Sequence, residues 1–339
     1  MSTYLESFAP SHALTKLRTL EPMAADATRA AAIASVQFAG RGDDKAADGA
    51  ATEAMRAVLS HLPGTGTVVI GEGEKDEAPM LFNGEQVGDG SSDLAIDIAV
   101  DPLECTDFCA AGLPGALTTI AFAEGGTMWS PGPGLYMDKL VVGPEAREAI
   151  DLDDPPDRTV TRVAEALGKP VEEIRVVVLD KPRHADLIEQ LRGLGVAVST
   201  PGDGDVGGAL EALLSGGDAD LLMGVGGTPE GVMTACAVRA LGGGMKGRLA
   251  PQKDEERQAL ADAGMDIERV LDVDEIVGGE AIFAATGVTG GALVREPWDS
   301  DGETMTETIV IVPGKVQRIV EAVIGQRWVP PTDGASAAS

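Results

Sequence analysis

An α/β fold with a largely parallel sheet is what this sequence predicts, on three observations. From residue 159 onward, helix-length segments alternate with short β-branched runs, the pattern of βα units packed in layers. Before that point, Ala-rich helical spacing gives way to four apolar runs of strand length. Gly and acidic residues gather where most of these runs end, which in open α/β sheets is where ligands bind.

Taken in order, residues 24–38 read as an Ala-rich helix, broken by GRGDD at 40–44. Residues 46–61 return to helical spacing, with Met55, Val58 and Leu59 on one face. TVVIGEGE (67–74) reads as a short strand ending in Gly and acid, and 94–100, 116–123 and 135–142 read as three more strands. The polar stretch 143–159 carries a Pro pair and marks a boundary. It divides an N-terminal α+β domain, 1–150, from an α/β domain, 151–330. In the latter, helices at 159–167, 184–194, 205–215 and 230–241 alternate with strands at 174–180, 196–200 and 220–225. Residues 282–288 and 306–314 are expected strands, and 331–339 a disordered tail. No internal repeat is visible.

The chain of 339 residues carries a formal net charge of −29. That charge excludes nucleic acid and anionic membrane surfaces as partners. It leaves a phosphorylated substrate open, because local Lys and Arg can bind one. Aromatics are only 3%, so the core must be built from Ala, Val, Leu, Ile and Met. Three cysteines, Cys105, Cys109 and Cys236, give no disulfide framework and suit a reducing compartment. The histidines, His12, His61 and His184, have no zinc spacing with them. With no leader-like N-terminus and no membrane-length apolar run, the expectation is a cytoplasmic protein.

Four stretches carry chemistry. AIDIAVDPLECTD (95–107) places Asp97 inside an apolar run and ends it in Asp101, Pro102, Glu104 and Thr106. Oxygen ligands so close together suit Mg²⁺ or Mn²⁺; equally, Thr106 caps a following helix that Asp101 enters. GEGEKDEAP (71–79) puts Glu72 and Glu74 on one side of an extended chain, or forms an acidic surface turn. LDKPRHA (179–185) spreads Lys181 and Arg183 about a proline at a strand end, a phosphate site or a solvated basic turn. GVGGTPEGV (224–232) runs a strand into Thr228 as N-cap, with Pro229 and Glu230 in the first turn, where the helix dipole alone accounts for Glu230. GDGD (202–205) offers Asp203 and Asp205 as acceptors for sugar hydroxyls, or an Asp-Gly turn with an N-cap. His184 reads as a helix-start residue rather than a general base.

Taken together and in this order, GRGDDKAADGAATEAMR, VVIGEGEKDEAPML, DIAVDPLECT, YMDKLVVGP, KPRH, DGDV, GGTPEGV and ATGVT resemble the class II fructose-1,6-bisphosphatases of bacteria. That family includes enzymes that also cleave sedoheptulose-1,7-bisphosphate. The resemblance implies a layered α-β-α-β-α fold of the inositol-phosphatase-like kind. It implies divalent-metal-dependent release of the 1-phosphate of fructose-1,6-bisphosphate by a homodimer or homotetramer. By position it puts Asp48, Glu72, Asp101, Glu104 and Glu230 on metal-ligand positions, and Thr106, with Glu72 and Asp101, in the catalytic group. Glu104, Cys105, Thr106, Tyr136, Lys181, Pro182, Arg183, Asp203, Gly204, Asp205 and Gly227 fall on substrate-binding positions. Two departures stand out. The family has Gly where this chain has Cys105, and Lys where it has Asp44, with Lys45 one position late. They keep open two alternatives: a related phosphatase with a changed substrate, such as an inositol or other sugar phosphate, and a weakly active sugar-phosphate-binding protein.

Overall fold

Residues 16–72, 80–214 and 216–323 are described by a computed structural model. His12, Glu74 and the expected tail 331–339 lie outside the described residues.

Two helices open the fold, α1 (Glu21–Val36) and α2 (Asp44–Leu59). The Asp43 side chain accepts from Ala46 N at 3.0 Å and so caps α2. One face of the pair buries Ala27, Ala31, Ala47, Ala51, Met55 and Leu59 against the first sheet. That sheet has β1 (Thr65–Ile70), β2 (Gln86–Val87), β3 (Ala95–Glu104) and β4 (Leu117–Glu124), with α3 (Thr106–Ala111) between the last two. The chain then enters a second sheet with β5 (Tyr136–Val142), α4 (Pro156–Leu167), β6 (Arg175–Val177), α5 (Ala185–Gly193), β7 (Ala197–Ser199) and α6 (Asp205–Leu213). There follow β8 (Leu221–Gly227), α7 (Thr228–Leu241), β9 (Gly244–Leu249), α8 (Asp254–Asp262), β10 (Leu271–Asp272) and α9 (Val273–Ile276). It returns to the first sheet with β11 (Ala281–Gly287), β12 (Trp298–Ser300), β13 (Glu303–Val312) and β14 (Lys315–Val323).

The strand orders are β12-β13-β11-β4-β3-β1-β2, with β14 beside β13, and β10-β9-β5-β8-β6-β7. Three cores separate the layers. Ile96, Ile98, Phe122, Ile282 and Val310 face α1 and α2. Ala99, Ala121, Phe283 and Ile309 face the other way, toward Val232, Ala235 and Cys236 of α7, and across them lie Met137, Val141 and Leu222 of the second sheet. Leu140, Val142, Val176 and Leu221 pack under α4 and α5. The small residues of α7 let two sheets approach one helix from both sides. The result is the α-β-α-β-α order that the resemblance implies.

Three expectations are corrected. The sheets are mixed: among the described residues only β1–β3, β6–β7 and β6–β8 pair in parallel, because hairpin partners such as β13 and β14 are antiparallel and alternation of element types does not fix strand direction. The sheets do not divide at residue 150: β5 pairs with β8 and β9, and β11 to β14 rejoin the first sheet. Third, β3 does not stop at Pro102. It runs to Glu104, and the proline occupies a register shift in the β3–β4 ladder between Asp101 and Glu104.

Candidate active site

The register shift re-aims the end of β3. Asp101 Oδ1 accepts from Leu103 N at 3.1 Å, and Thr106 donates its hydroxyl proton to Leu103 O at 2.8 Å. Between them Cys105 takes a left-handed conformation, φ 61 and ψ 49, and is itself the N-cap residue of α3. The capping reading of Thr106 is therefore replaced by a local turn. Asp97, in the same run, is not part of the site. It is 5% exposed and accepts from Thr127 N and Met128 N, each at 2.9 Å. It pins the turn after β4, which accounts for a carboxylate inside an apolar strand.

Other elements bring the remaining residues to the same place. Glu72 follows β1, its amide bound to Leu81 O at 2.9 Å, and Asp48 lies one turn into α2. α7 starts at Thr228 with Gly227 as N-cap, one position before the Thr228 cap expected, and carries Glu230 in its first turn. From the second sheet come Tyr136 at the start of β5, Lys181 and Arg183 after β6, and Asp203 and Asp205 at the start of α6. One cavity of about 870 Å³ is lined by Asp48, Glu72, Asp101, Glu104, Cys105, Thr106, Tyr136, Lys181, Arg183, Asp203, Asp205, Gly227 and Glu230. Pro182 and Gly204 do not line it. Pro182 starts the 3₁₀ turn Pro182–His184 that follows Lys181, and Gly204, at φ 102, makes the bend between the two aspartates.

The cavity is lined by charge of both signs. Arg183 donates through Nε and Nη2 to Val225 O at 3.0 and 2.8 Å, and its guanidinium lies 5.3 Å from the Tyr136 ring centre. A cation so held is oriented before any anion arrives. The acids are desolvated and repel one another. Burial, then Asp48, pushes Glu72 up to about 7. Burial, then Glu104, Glu230 and Glu72, raises Asp101 well above the carboxylate range. Burial raises Glu104 to about 8, although Val206 N donates to its Oε1 at 2.9 Å. Asp48 and Glu230 are raised by burial too. Burial and the neighbouring acids, Glu104 first, also push the Cys105 thiol up, so it stays protonated.

Glu104 Oε2 and Glu230 Oε2 are buried without a hydrogen-bond partner. Orphaned anionic oxygens among mutually repelling acids fit a hard divalent cation and little else. Asp48, Glu72, Asp101, Glu104 and Glu230 could hold it. They share the cavity without forming a ready-made ligand set: among the described residues no three such side chains already stand as a metal site.

A stability measurement checks this. The raised carboxylates favour the fold while protonated, so the unliganded chain is most stable below their ordinary value near 4.5 and loses stability as pH rises through about 7 to 8. Thermal melting should show Tm falling over that range. Mn²⁺ at about 100 times its Kd should raise Tm at pH 8 by roughly 4 °C, and Glu104→Gln should shrink the gain. Equal Tm with and without Mn²⁺ or Mg²⁺ would remove the cation site.

Sequence reasoning missed two supporting residues. Lys139, in the middle of β5, is 1% exposed and bonded to Asp205 and Gly227. Glu256, on α8, accepts from Leu135 N and Tyr136 N at 2.8 and 3.1 Å and so fixes the start of β5. An isolated Lys in an apolar strand was the one available signal for the first; nothing in the sequence pointed to the second. His184 matches its structural reading: Nδ1 faces Leu179 O and Nε2 accepts from Val225 N, both at 2.8 Å. Asp44 and Lys45 do not line the cavity, although Asp44 adds to the raised pKa of Asp48. No helix among the described residues is long and apolar enough to cross a membrane.

With this geometry in hand, comparison with known proteins is informative. The chain matches the family described as bacterial fructose-1,6-bisphosphatase, glpX-encoded, over residues 18–324. It is 41% identical over 306 residues to fructose-1,6-bisphosphatase 1 class 2 of Escherichia coli strain K12, covering 86% of this chain and 90% of that relative. The class 2 fructose-1,6-bisphosphatases of Escherichia coli O6:H1 and Shigella flexneri are similar to the same degree and extent.

Proposed function

The chain belongs to the bacterial, glpX-encoded fructose-1,6-bisphosphatase family, and from that premise we propose how its own cavity performs the reaction. It is a phosphoric monoester hydrolase of class II fructose-1,6-bisphosphatase type. Water attacks the 1-phosphate of fructose-1,6-bisphosphate; its oxygen bonds to phosphorus as the P–O bond to the sugar breaks, one water proton ends on the released sugar oxygen, and fructose-6-phosphate and hydrogen phosphate leave. The observation that carries this reading is one cavity lined both by Lys181 and a held Arg183 and by acids with orphaned oxygens.

Mg²⁺ or Mn²⁺ bound among the acids would supply neutralisation of the phosphoryl charge, acidification of water and stabilisation of the leaving alkoxide. The protein's groups do the rest. The Thr106 proton is committed to Leu103 O, so its oxygen can only accept, and it accepts from the attacking water. Lys181 and Arg183 take the phosphate that does not react. Asp203 and Asp205 receive sugar hydroxyls. Binding energy at the far phosphate is spent on placing the near one. No covalent phosphoenzyme is needed. Three buried cysteines without a disulfide suit the cytoplasm.

Phosphate release from a panel of fructose-1,6-bisphosphate, sedoheptulose-1,7-bisphosphate, inositol phosphates and sugar monophosphates, with Mg²⁺ or Mn²⁺, tests the assignment. Fructose-1,6-bisphosphate should give the highest kcat/KM. Strong release from another ester with none from either ketose bisphosphate would replace it with the changed-substrate reading. Cys105 is the observation that favours that second reading, because its side chain occupies a left-handed position in the cavity wall, where Gly is the unstrained choice.

A further inference from the structure

The acids of the cavity have an internal counter-ion on which the proposed mechanism does not draw. Lys139 is 1% exposed. Burying an ammonium is costly unless it is closely paired and its hydrogen bonds are met. Here Nζ donates to Asp205 Oδ2 at 2.6 Å and to Gly227 O at 2.8 Å. Asp205 Oδ2 also accepts from Gly227 N at 3.0 Å. Two donors, from β5 and from the end of β8, therefore meet at a single oxygen on α6.

Each end of this knot leads to chemistry. Asp205 lines the cavity, and its Oδ2 is consumed by the knot. Which oxygen remains for a sugar hydroxyl is thus decided by Lys139 rather than by Asp205 alone. Gly227 is the N-cap from which α7 carries Glu230. Next to Asp205, Val206 N holds Glu104. The local packing is tight: a side chain at Gly226 would overlap the Asp205 carboxylate.

We propose that Lys139 is a positioning residue that clamps Asp205 to the Gly226–Gly227 end of β8, presenting the remaining Asp205 oxygen to the sugar while holding the launch point of Glu230. The clamp rests on the reading of the cavity as a sugar-phosphate site. It acts through Asp205, and Lys139 itself touches no substrate.

The test is a cycle of Lys139→Met, Asp205→Leu and the double variant, read by KM and kcat for fructose-1,6-bisphosphate and by calorimetric binding of fructose-6-phosphate. Replacing both members of a buried pair with apolar groups keeps the double variant folded. Lys139→Met alone should raise KM and weaken fructose-6-phosphate binding about tenfold, with a much smaller change in kcat. In the Asp205→Leu background the same change should cost less than about twofold. A Lys139 that serves only stability lowers Tm and leaves KM alone, and that result overturns the proposal, as do equal penalties in both backgrounds. Gly226→Ala, which keeps Lys139 but displaces Asp205, should reproduce the KM increase; an unchanged KM counts against the clamp. Hydrogen exchange at the Gly227 amide is independent of the substrate. Its protection should fall about tenfold in Lys139→Met, and unchanged protection overturns the clamp even if the parent chain hydrolyses a different ester.

Discussion

Replacing Thr106 with valine is expected to lower kcat about 100-fold, the loss that a small misplacement of a reacting group causes. KM should barely move. Valine has the shape of threonine and lacks only the hydroxyl. In the fold that hydroxyl donates to Leu103 O at 2.8 Å and lines the cavity beside Asp101 and Glu104. Losing one such hydrogen bond costs about 1 kcal/mol of stability, too little to unfold a chain with three extended cores. The loss therefore falls on the attacking water, which loses an acceptor that cannot turn its proton toward it. A group that acts only in the transition state lowers kcat and kcat/KM together. Steady-state kinetics with saturating Mn²⁺ decide the matter. Unaltered kcat would remove Thr106 from the reaction and leave it as a turn residue.

Thr106 also shows how far sequence carries this protein. Glu72, Asp101, Glu104 and the Lys181–Arg183 pair stand out because each lies at or just past the end of an apolar run, where a change of pattern is visible, whereas Asp48, inside α2, is marked only by the resemblance. The helices α1 and α2 were legible from their spacing, to within a few residues. Strand direction was not, because pairing is a long-range choice that a local pattern does not encode. β9, α8 and β14 were missed as well. β9 alternates buried residues with Gly and charged residues. α8 is acidic along its first turn. β14 is exposed or half-buried along its whole length, so it lacks the buried face that marks a strand. Asp97 misled in the opposite direction: an acid in a strand looks catalytic until the turn it caps is seen. Cys105 was recognised as a departure from the family pattern, yet only φ 61 shows that the chain bears a real backbone cost there.

Gly227→Ala is the second large effect expected, and it separates folding from function. Gly227 has φ −67 and ψ 140, a conformation alanine adopts freely, so the backbone raises no objection. What opposes the methyl group is one side chain: a Cβ there would overlap the Glu230 carboxylate. That carboxylate is the end of a flexible side chain, so it can swing away at little cost to the fold, and the Lys139 bond to the Gly227 carbonyl survives because it is made by main chain. Glu230, however, then leaves the place where its Oε2 lies buried and unpartnered among the other acids. If that oxygen is there for a cation, kcat/KM should fall about 100-fold or more, the stabilisation by Mn²⁺ should shrink, and Tm without metal should change by only a few degrees. Glu230→Gln supplies the control, because it removes the charge without moving the main chain. The two variants should lose Mn²⁺ stabilisation to a similar extent and, together, lose little more than either alone. A Gly227→Ala chain with full activity and the parent's response to Mn²⁺ would show that Glu230 does not hold the cation, and the ligand set would then have to be drawn from Asp48, Glu72, Asp101 and Glu104 alone.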